Sequence, residues 1–308
     1  MKFLTRPLLV LLGIGTALGV AEIAIRAFEP LPAPSTWPTA ETQLKSRQMA
    51  AMEAPVEVLF AGSSITEAAI DPAQVVGDGV SRAYNAAVPF SYPVSMDVWV
   101  GEVAVPATEP SVVVIGLTPW APADPELQDL VIAGLERAAE ESKSEAPVLS
   151  LSALWRNRGV MADVDYLLDQ IFLADSGIWT ELGHQTGYHD LPQDFTPGLP
   201  RIVGAGRMSG SNESAIRQLV DHLHEEGVIV VLMIEPTRDP EVREARSTAV
   251  YIESLEELAR SLSVELWDMY SVAWPDSLFT DNDHFNAEGT RQFSLLVAER
   301  LAGLLGGE

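Results

Sequence analysis

The sequence contains no cysteine in its 308 residues. Disulfide bonds, thiolate metal sites and cysteine nucleophiles are therefore excluded, so covalent chemistry would have to use another nucleophile. The absence does not identify the compartment, because an exported protein can fold without disulfides.

Basic residues are scarce as well. The chain has 19 lysines and arginines against 44 aspartates and glutamates, which gives a net charge of −25 at pH 7. Because such a surface repels phosphate, the composition predicts that nucleic acid is not a partner. The acidic balance suits a salt-rich environment and equally a GC-rich genome, and composition does not separate the two.

An apolar stretch lies near the N-terminus, from Leu8 to Ala21, and extends weakly through Ile25. With its extension the stretch reaches the roughly 20 residues of a bilayer span, and the basic residues before it orient the N-terminus toward the cytoplasm. We therefore predict that residues 1–28 form an uncleaved signal anchor of a single-pass cell-membrane protein, with the rest of the chain outside the cytoplasm. The small residues Gly19 and Ala21 keep signal cleavage and secretion as an alternative, and a buried N-terminal helix is a third.

Several prolines occur in residues 29–41, where they disfavour a helix and predict an extended linker. Residues 42–308 would then form the folded domain, held away from the membrane. Within that domain the region from about 125 to 210 is less regular. We interpret this region as helical and loop insertions above the edge of a sheet.

From Val56 onward, short apolar runs alternate with stretches of helical periodicity. This alternation predicts an α/β fold, a three-layer α/β/α sandwich with a mostly parallel central sheet. In such a sheet ligands bind at the carboxyl ends of the strands. The predicted strands are residues 56–62, a short strand ending at Asn85, and residues 111–117, 228–236 and 265–270.

The carboxyl end of the first predicted strand presents two adjacent serines, Ser63 and Ser64. An ordinary strand-to-helix turn, with a serine capping the helix, would account for them. A second feature favours chemistry, because the loop before the last helix, FTDNDHFNAEG, contains Asp281, Asp283 and His284. Serine, histidine and aspartate are the components of a nucleophilic triad, in which histidine takes the serine proton and the carboxylate orients the histidine.

Asp281 has the spacing expected of the carboxylate, because a residue three positions before a histidine can fold back onto its ring within one loop turn. The adjacent Asp283 is expected to point elsewhere. The alternative is a plain loop in which Asn286 caps the last helix and His284 has no chemical role, and Asn286 is the expected cap in either case. The candidate catalytic residues are therefore Ser64, Asp281 and His284.

This arrangement resembles the SGNH/GDSL hydrolase superfamily, and in particular its exported members with a GSS opening. The first family block, Gly-Asp-Ser, is similar to Gly62-Ser63-Ser64, which makes Ser64 the nucleophile and places a serine where the family has aspartate. The last block, Asp-x-x-His, matches residues 281–284, and the resemblance spans residues 55–305. The competing Gly-x-Ser-x-Gly elbow of α/β-hydrolases is not present, because Thr66 occupies its second glycine position.

Two central blocks of the family are altered in this chain. The glycine expected five residues after Asn85 is Phe90, and the Gly-x-Asn-Asp block reads Gly-Leu-Thr-Pro, with Thr118 in place of asparagine. The resemblance implies an oxyanion hole formed by the Ser64 and Phe90 N–H groups together with Asn85 or Thr118. Losing one donor costs on the order of 3 kcal/mol in transition-state stabilisation. A non-catalytic binding or assembly module of the same fold at the cell surface is therefore the alternative function.

The resemblance implies a serine esterase or acyltransferase that acts on ester bonds and uses no cofactor or metal. Exported, anchored members are often tied to acylation or deacylation of cell-surface polysaccharides, so the expected substrate is an O-acetyl group on a glycan. The expected partners are this acylated glycan, the membrane through the N-terminal helix and, for a transferase, a membrane acyl-donor protein. Either water or a sugar hydroxyl would accept the acyl group.

A further segment, GHQTGYHD, contains His184 and His189. These histidines could contact a polar substrate or bind a metal, although no third ligand converges on them in the sequence. Trp120 and Trp179 could stack on a sugar ring, and core packing is the simpler interpretation for both.

Overall fold

Five parallel strands form the central sheet of this computed structural model, and each coincides with a strand that the sequence predicts. The structure describes residues 37–77, 79–89, 91–119, 180–186, 207–208 and 210–306. The strands are β1 (Val58–Ala61), β2 (Ala83–Asn85), β3 (Val112–Leu117), β4 (Ile229–Ile234) and β5 (Glu265–Asp268). Their order across the sheet is β2-β1-β3-β4-β5.

The central strands β3 and β4 are uncharged and rich in β-branched residues, and only Ile229 at the start of β4 is exposed. A strand that is apolar on both of its faces is stable only when helices cover both sides of the sheet. Leu59, on one face of β1, belongs to a core that includes Leu219 and Leu255 from two helices. Phe60, on the other face, packs in a second core with the last helix. The predicted three-layer arrangement is thereby confirmed.

Helices flank the sheet on these two sides. They are α1 (Trp37–Ala50), α2 (Ser64–Ala69), α3 (Pro72–Val75), α4 (Pro93–Val98), α5 (Val105–Thr108), α6 (Gly210–Glu225), α7 (Pro240–Glu244), α8 (Arg246–Leu262) and α9 (Ala287–Leu305). A π-helical segment, Trp99–Ala104, joins α4 to α5, and a 3₁₀ turn, Asp276–Leu278, precedes α9.

The winding of the chain reverses at β1. From β1 the chain crosses to β2 on one side and then returns past β1 to β3 on the other side. The connections that leave β1 and β3 therefore diverge at their carboxyl ends, and this is where open parallel sheets bind ligands. Ser64 begins the helix that follows β1, so it lies at this point of reversal.

The first described helix begins inside the predicted linker. Because α1 starts at Trp37, the expectation of an extended linker over residues 29–41 is wrong for residues 37–41. Pro38 lies in the first turn, where the missing N–H of a proline would have no partner within the helix. The predicted anchor, residues 1–28, and most of the insertion over 125–210 lie outside the described residues. Of the helices that the structure describes, none is both long and apolar enough to cross a bilayer.

A buried ion cluster fastens α1 to the strand ends. Lys45 Nζ lies 3.0 Å from Glu67 Oε1 and 3.6 Å from Glu41 Oε1, and all three side chains are fully buried. Lys45 also donates hydrogen bonds to the carbonyl oxygens of Asn85 and Ala87. Burial, and next the charge of Glu67, raises the pKa of Glu41 well above its ordinary value, because the single Lys45 charge does not offset both effects.

Candidate active site

Ser64 is placed by a short turn at the end of β1. Ser63 is the N-cap of α2, with an extended backbone, and its hydroxyl accepts a hydrogen bond from the Ile65 N–H at 3.2 Å. The capping role predicted for one of the two serines therefore belongs to Ser63. Ser64 is the first helical residue, so its own N–H has no acceptor within the helix.

His284 lies between Ser64 and Asp281. Its Nε2 is 3.0 Å from the Ser64 hydroxyl oxygen, and its Nδ1 is 2.8 Å from Asp281 Oδ2. A carboxylate at Nδ1 favours the tautomer whose proton is on that nitrogen, which leaves Nε2 to accept the Ser64 proton. The structure thus brings together the three residues that the sequence predicts as catalytic.

Asp281 is held in its orientation by the backbone of its own loop. Its Oδ1 accepts hydrogen bonds from the N–H groups of Asp283 at 2.8 Å and His284 at 2.7 Å, while Oδ2 faces the imidazole. Burial alone would raise the pKa of Asp281, but these hydrogen bonds and the attraction of His284 outweigh burial. The pKa of Asp281 lies below its ordinary value, so its charged form is the stable one at neutral pH.

Asp283 points away from the imidazole, as expected. Its carboxylate accepts a hydrogen bond from the Thr237 hydroxyl at 2.7 Å, and the backbone carbonyl of Asn282 accepts from the Arg238 N–H at 2.8 Å. These contacts join the loop of His284 to the segment that follows β4. At the other end of the loop, Asn286 caps α9 by accepting from the N–H groups of Glu288 and Gly289 at 3.1 and 3.0 Å, which confirms the predicted cap.

Asn85 has a structural role instead of the predicted role as an oxyanion donor. Its side-chain nitrogen lies 3.0, 3.2 and 2.8 Å from the carbonyl oxygens of Thr66, Glu67 and Ile70. Its N–H groups are therefore directed at the carboxyl end of α2, where the Thr66 carbonyl also accepts the Ile70 N–H. The sequence placed Asn85 at the correct edge of the sheet but could not show the direction of its amide.

Of the other predicted oxyanion donors, the structure describes Thr118 but not Phe90. Thr118 follows β3 directly, and β3 pairs with β1 up to Ile115 opposite Ala61, so Thr118 and Ser64 lie at the same edge of the sheet. Phe90 lies outside the described residues.

Sequence reasoning missed Glu235, which lies under the nucleophile turn. This fully buried residue follows β4, and its carboxylate contacts Ser63 and Thr66. Burial raises the pKa of Glu235, and hydrogen bonds from Thr66 and Ser63 oppose that shift. A glutamate directly after an apolar strand was the signal that could have identified it, since this strand end lies at the same edge as Ser64.

Of the predicted histidine and tryptophan candidates, the structure describes His184, and the others lie outside the described part of the chain. His184 is buried, with its Nε2 3.3 Å from the Ala68 carbonyl oxygen and its Nδ1 3.8 Å from Asp71. In the part of the chain that the structure describes, no group of three or more histidine, aspartate or glutamate side chains could hold a metal. Trp120, Trp179 and His189 lie outside that part.

No protein-family model and no curated protein sequence matches this chain. It is similar in structure to a protein from Bacteroides fragilis assigned as an acylhydrolase, with 15% identity and a TM-score of 0.47 over 86% of this chain and 98% of that chain. It is also similar to a GDSL-like lipase from Bacteroides thetaiotaomicron, with 14% identity and a TM-score of 0.44 over 85% of this chain and 99% of that chain. A mutant of an acetylxylan esterase from Geobacillus stearothermophilus shows 14% identity and a TM-score of 0.42 over 82% of this chain and 96% of that chain.

Proposed function

We propose that this protein is a serine esterase or acyltransferase that acts on ester bonds through Ser64, His284 and Asp281. The observation that carries the proposal is the hydrogen-bonded series from Ser64 Oγ through His284 to the Asp281 carboxylate, at 3.0 and 2.8 Å. A bystander histidine would not need both of its ring nitrogens aligned between a hydroxyl and a buried carboxylate. The position of Ser64 at the reversal point of the sheet, where ligands bind, supports the same assignment.

In the proposed reaction, His284 Nε2 takes the Ser64 proton while the Ser64 oxygen bonds to the ester carbonyl carbon. The tetrahedral intermediate collapses, the alcohol leaves with the proton from His284, and the acyl group remains on Ser64. Water or a sugar hydroxyl then attacks the acyl-serine, again giving its proton to His284, and Ser64 is regenerated. Asp281 remains a carboxylate throughout, because its pKa lies below its ordinary value.

The negative oxygen of the intermediate would be stabilised by the Ser64 N–H at the start of α2. The Thr118 hydroxyl and the Phe90 N–H are the further donors we propose. Each donor of this kind typically contributes about 3 kcal/mol to transition-state stabilisation.

An O-acetyl ester on a cell-surface polysaccharide is the substrate we propose. The N-terminal sequence supports this choice, because a signal anchor over residues 1–28 would hold the domain outside the cytoplasm, where such glycans occur. Alkaline carbonate washing of membranes tests the anchor, since an integral protein stays in the pellet and a peripheral one is released. Release of acetate from O-acetylated polysaccharide, compared with transfer of acetyl groups to added oligosaccharide, separates an esterase from a transferase.

The decisive experiment is labelling of the full-length protein with a fluorophosphonate probe, read as intact mass. We expect one adduct on the wild type, none on Ser64→Ala, and one on Ser81→Ala, which removes a serine hydroxyl bonded to Glu57 at the opposite end of β1. A folded wild-type protein that forms no adduct would favour the binding or assembly module instead.

A further inference from the structure

The buried carboxylate of Glu235 contacts the turn that carries Ser64. Its carboxylate oxygens lie 3.0 and 3.1 Å from the Ser63 hydroxyl oxygen, and Oε1 lies 2.5 Å from the Thr66 hydroxyl oxygen and 3.1 Å from the Thr66 backbone nitrogen. Each of these groups carries a hydrogen to donate.

The surrounding backbone leaves space for this carboxylate and little else. A Cβ atom added at Gly116 would lie 2.0 Å from the Thr66 hydroxyl oxygen and 2.8 Å from Glu235 Oε1. One added at Gly62 would lie 2.4 Å from the same hydroxyl oxygen and 3.1 Å from Glu235. Glu235 itself is fixed in the sheet, since its N–H donates to the Leu117 carbonyl at 3.0 Å. The contact between the carboxylate and the turn is therefore determined by the central strands.

Ser63 is suited to this contact because its hydroxyl has two functions. It accepts the Ile65 N–H at the start of α2 and has one proton to donate to Glu235. An aspartate at position 63 could still cap the helix. However, it would bring a second carboxylate to within about 3 Å of the first, and two carboxylates that share a site do not both ionise at ordinary pH.

We propose that Glu235 is a positioning residue for Ser64: its buried carboxylate fixes the Ser63–Thr66 turn and requires a serine instead of an aspartate at position 63. This role rests on the proposed function, since it acts through the nucleophile. Glu235 is not assigned contact with the substrate.

The charged and polar groups that face Glu235 come from several elements. Ser63 and Thr66 contact it directly. Burial, and next the charge of Glu235, raises the pKa of both Tyr92 and Tyr251. These tyrosines therefore remain neutral at ordinary pH, and a neutral phenol does not compensate the charge of a carboxylate. The hydroxyl and N–H donors of the turn are therefore its main stabilisation.

The test compares full-length Glu235→Gln, Ser63→Asp and the double variant with the wild type. Glu57→Gln is the matched control, because Glu57 accepts hydrogen bonds from Ser81 in a similar way at the opposite end of β1. The measurements are the rate of fluorophosphonate labelling per folded molecule, kcat and KM for p-nitrophenyl acetate, and amide hydrogen exchange of the peptide that contains residues 63–66.

We expect Glu235→Gln to lower the labelling rate and kcat by about 10- to 100-fold, the range typical of a misplaced reacting group, while KM changes little. Exchange at residues 63–66 should become faster. Ser63→Asp should be impaired at least as strongly, and adding Glu235→Gln should recover much of that loss. Glu57→Gln should match the wild type in every measurement.

Wild-type rates of labelling and exchange in Glu235→Gln, or a double variant no more active than Ser63→Asp alone, would overturn the proposal. A carboxylate needed only for packing would lower the melting temperature and leave the rate per folded molecule unchanged. If the wild type itself does not label, the proposed function fails, and the exchange data still decide whether Glu235 fixes the turn. If Glu235→Gln does not fold, Thr66→Val removes a single donor and should change the same quantities in the same direction.

Discussion

The imidazole Nε2 of His284 lies 3.0 Å from the hydroxyl oxygen of Ser64, although 220 positions separate the two residues in the sequence. Hydrogen bonds between helices fix this approach. Thr290 in α9 donates to the Ala68 carbonyl of α2 at 2.9 Å, and Ser294, one turn later, donates to the Ala69 carbonyl at 3.3 Å. These two hydrogen bonds therefore fix the position of α2, which begins at Ser64, relative to α9, which follows the loop that contains His284.

Asp281→Asn should reduce kcat by about 10⁴-fold, because an amide at this position no longer favours the imidazole tautomer whose Nε2 accepts the Ser64 proton. Asp283→Asn is the matched control, since its side chain accepts a hydrogen bond from Thr237 and does not face the ring. We expect the control to lose less than about tenfold. Steady-state ester hydrolysis checks both variants, and equal losses would contradict the assignment of Asp281.

Asn85→Ala should lower the free energy of unfolding by about 1–3 kcal/mol, because it removes the side-chain donor to the carbonyl oxygens at the end of α2, including that of Ile70. The rate per labelled active site should change less than about tenfold, because the Asn85 amide is not directed at the oxyanion. Urea unfolding and active-site titration measure the two quantities. A loss of more than about 100-fold in rate with unchanged stability would restore the oxyanion role that the sequence predicts.

Gly116→Ala should destabilise the fold by about 1–3 kcal/mol through overpacking. The added methyl carbon would lie 2.0 Å from the Thr66 hydroxyl oxygen, so Thr66 or Glu235 has to move. Gly303→Ala is the control, because nothing lies within 4 Å of its added Cβ in α9. We expect that change to stabilise the protein by about 0.4–1 kcal/mol. Thermal unfolding checks both variants: the melting temperature should fall in Gly116→Ala and rise in Gly303→Ala.

Glu41→Gln should change how stability depends on pH. The pKa of Glu41 is raised in the folded protein, so the folded state binds this proton more tightly than the unfolded chain does. Its contribution to stability is therefore present below the ordinary value of 4.5 and is lost as the pH rises through the folded pKa. As the pH rises above 4.5, the wild type should therefore lose more stability than Glu41→Gln in urea unfolding. If the free energy of unfolding varies with pH in the same way for both proteins, the raised pKa of Glu41 is contradicted.

Local interactions made much of the fold predictable from the sequence. Three of the strands, β1, β3 and β4, are continuous apolar runs, as buried strands of a parallel sheet usually are. The capping roles of Ser63 and Asn286 and the pairing of Asp281 with His284 each span only a few residues. Strand ends at the same edge of a parallel sheet then place Ser64 near that loop.

The start of α1 was not predicted, because prolines outside the first turn disfavour a helix whereas one inside it is tolerated. Here the helix begins at Trp37, which places Pro38 in the first turn, where proline is tolerated. The presence of a proline in the sequence does not show whether it lies in the first turn of a helix or before the helix begins.

The sequence by itself determined the residue types at each strand end and the local geometry around Asp281 and His284. Only the tertiary structure decided where long-range hydrogen bonds go, since their partners come from distant segments. It directed the Asn85 amide to the carbonyls of α2, and it placed Glu235 against Ser63 from 172 positions away. Both outcomes follow from the close packing of the sheet edge, where each buried polar group has to find a partner that the sequence does not specify.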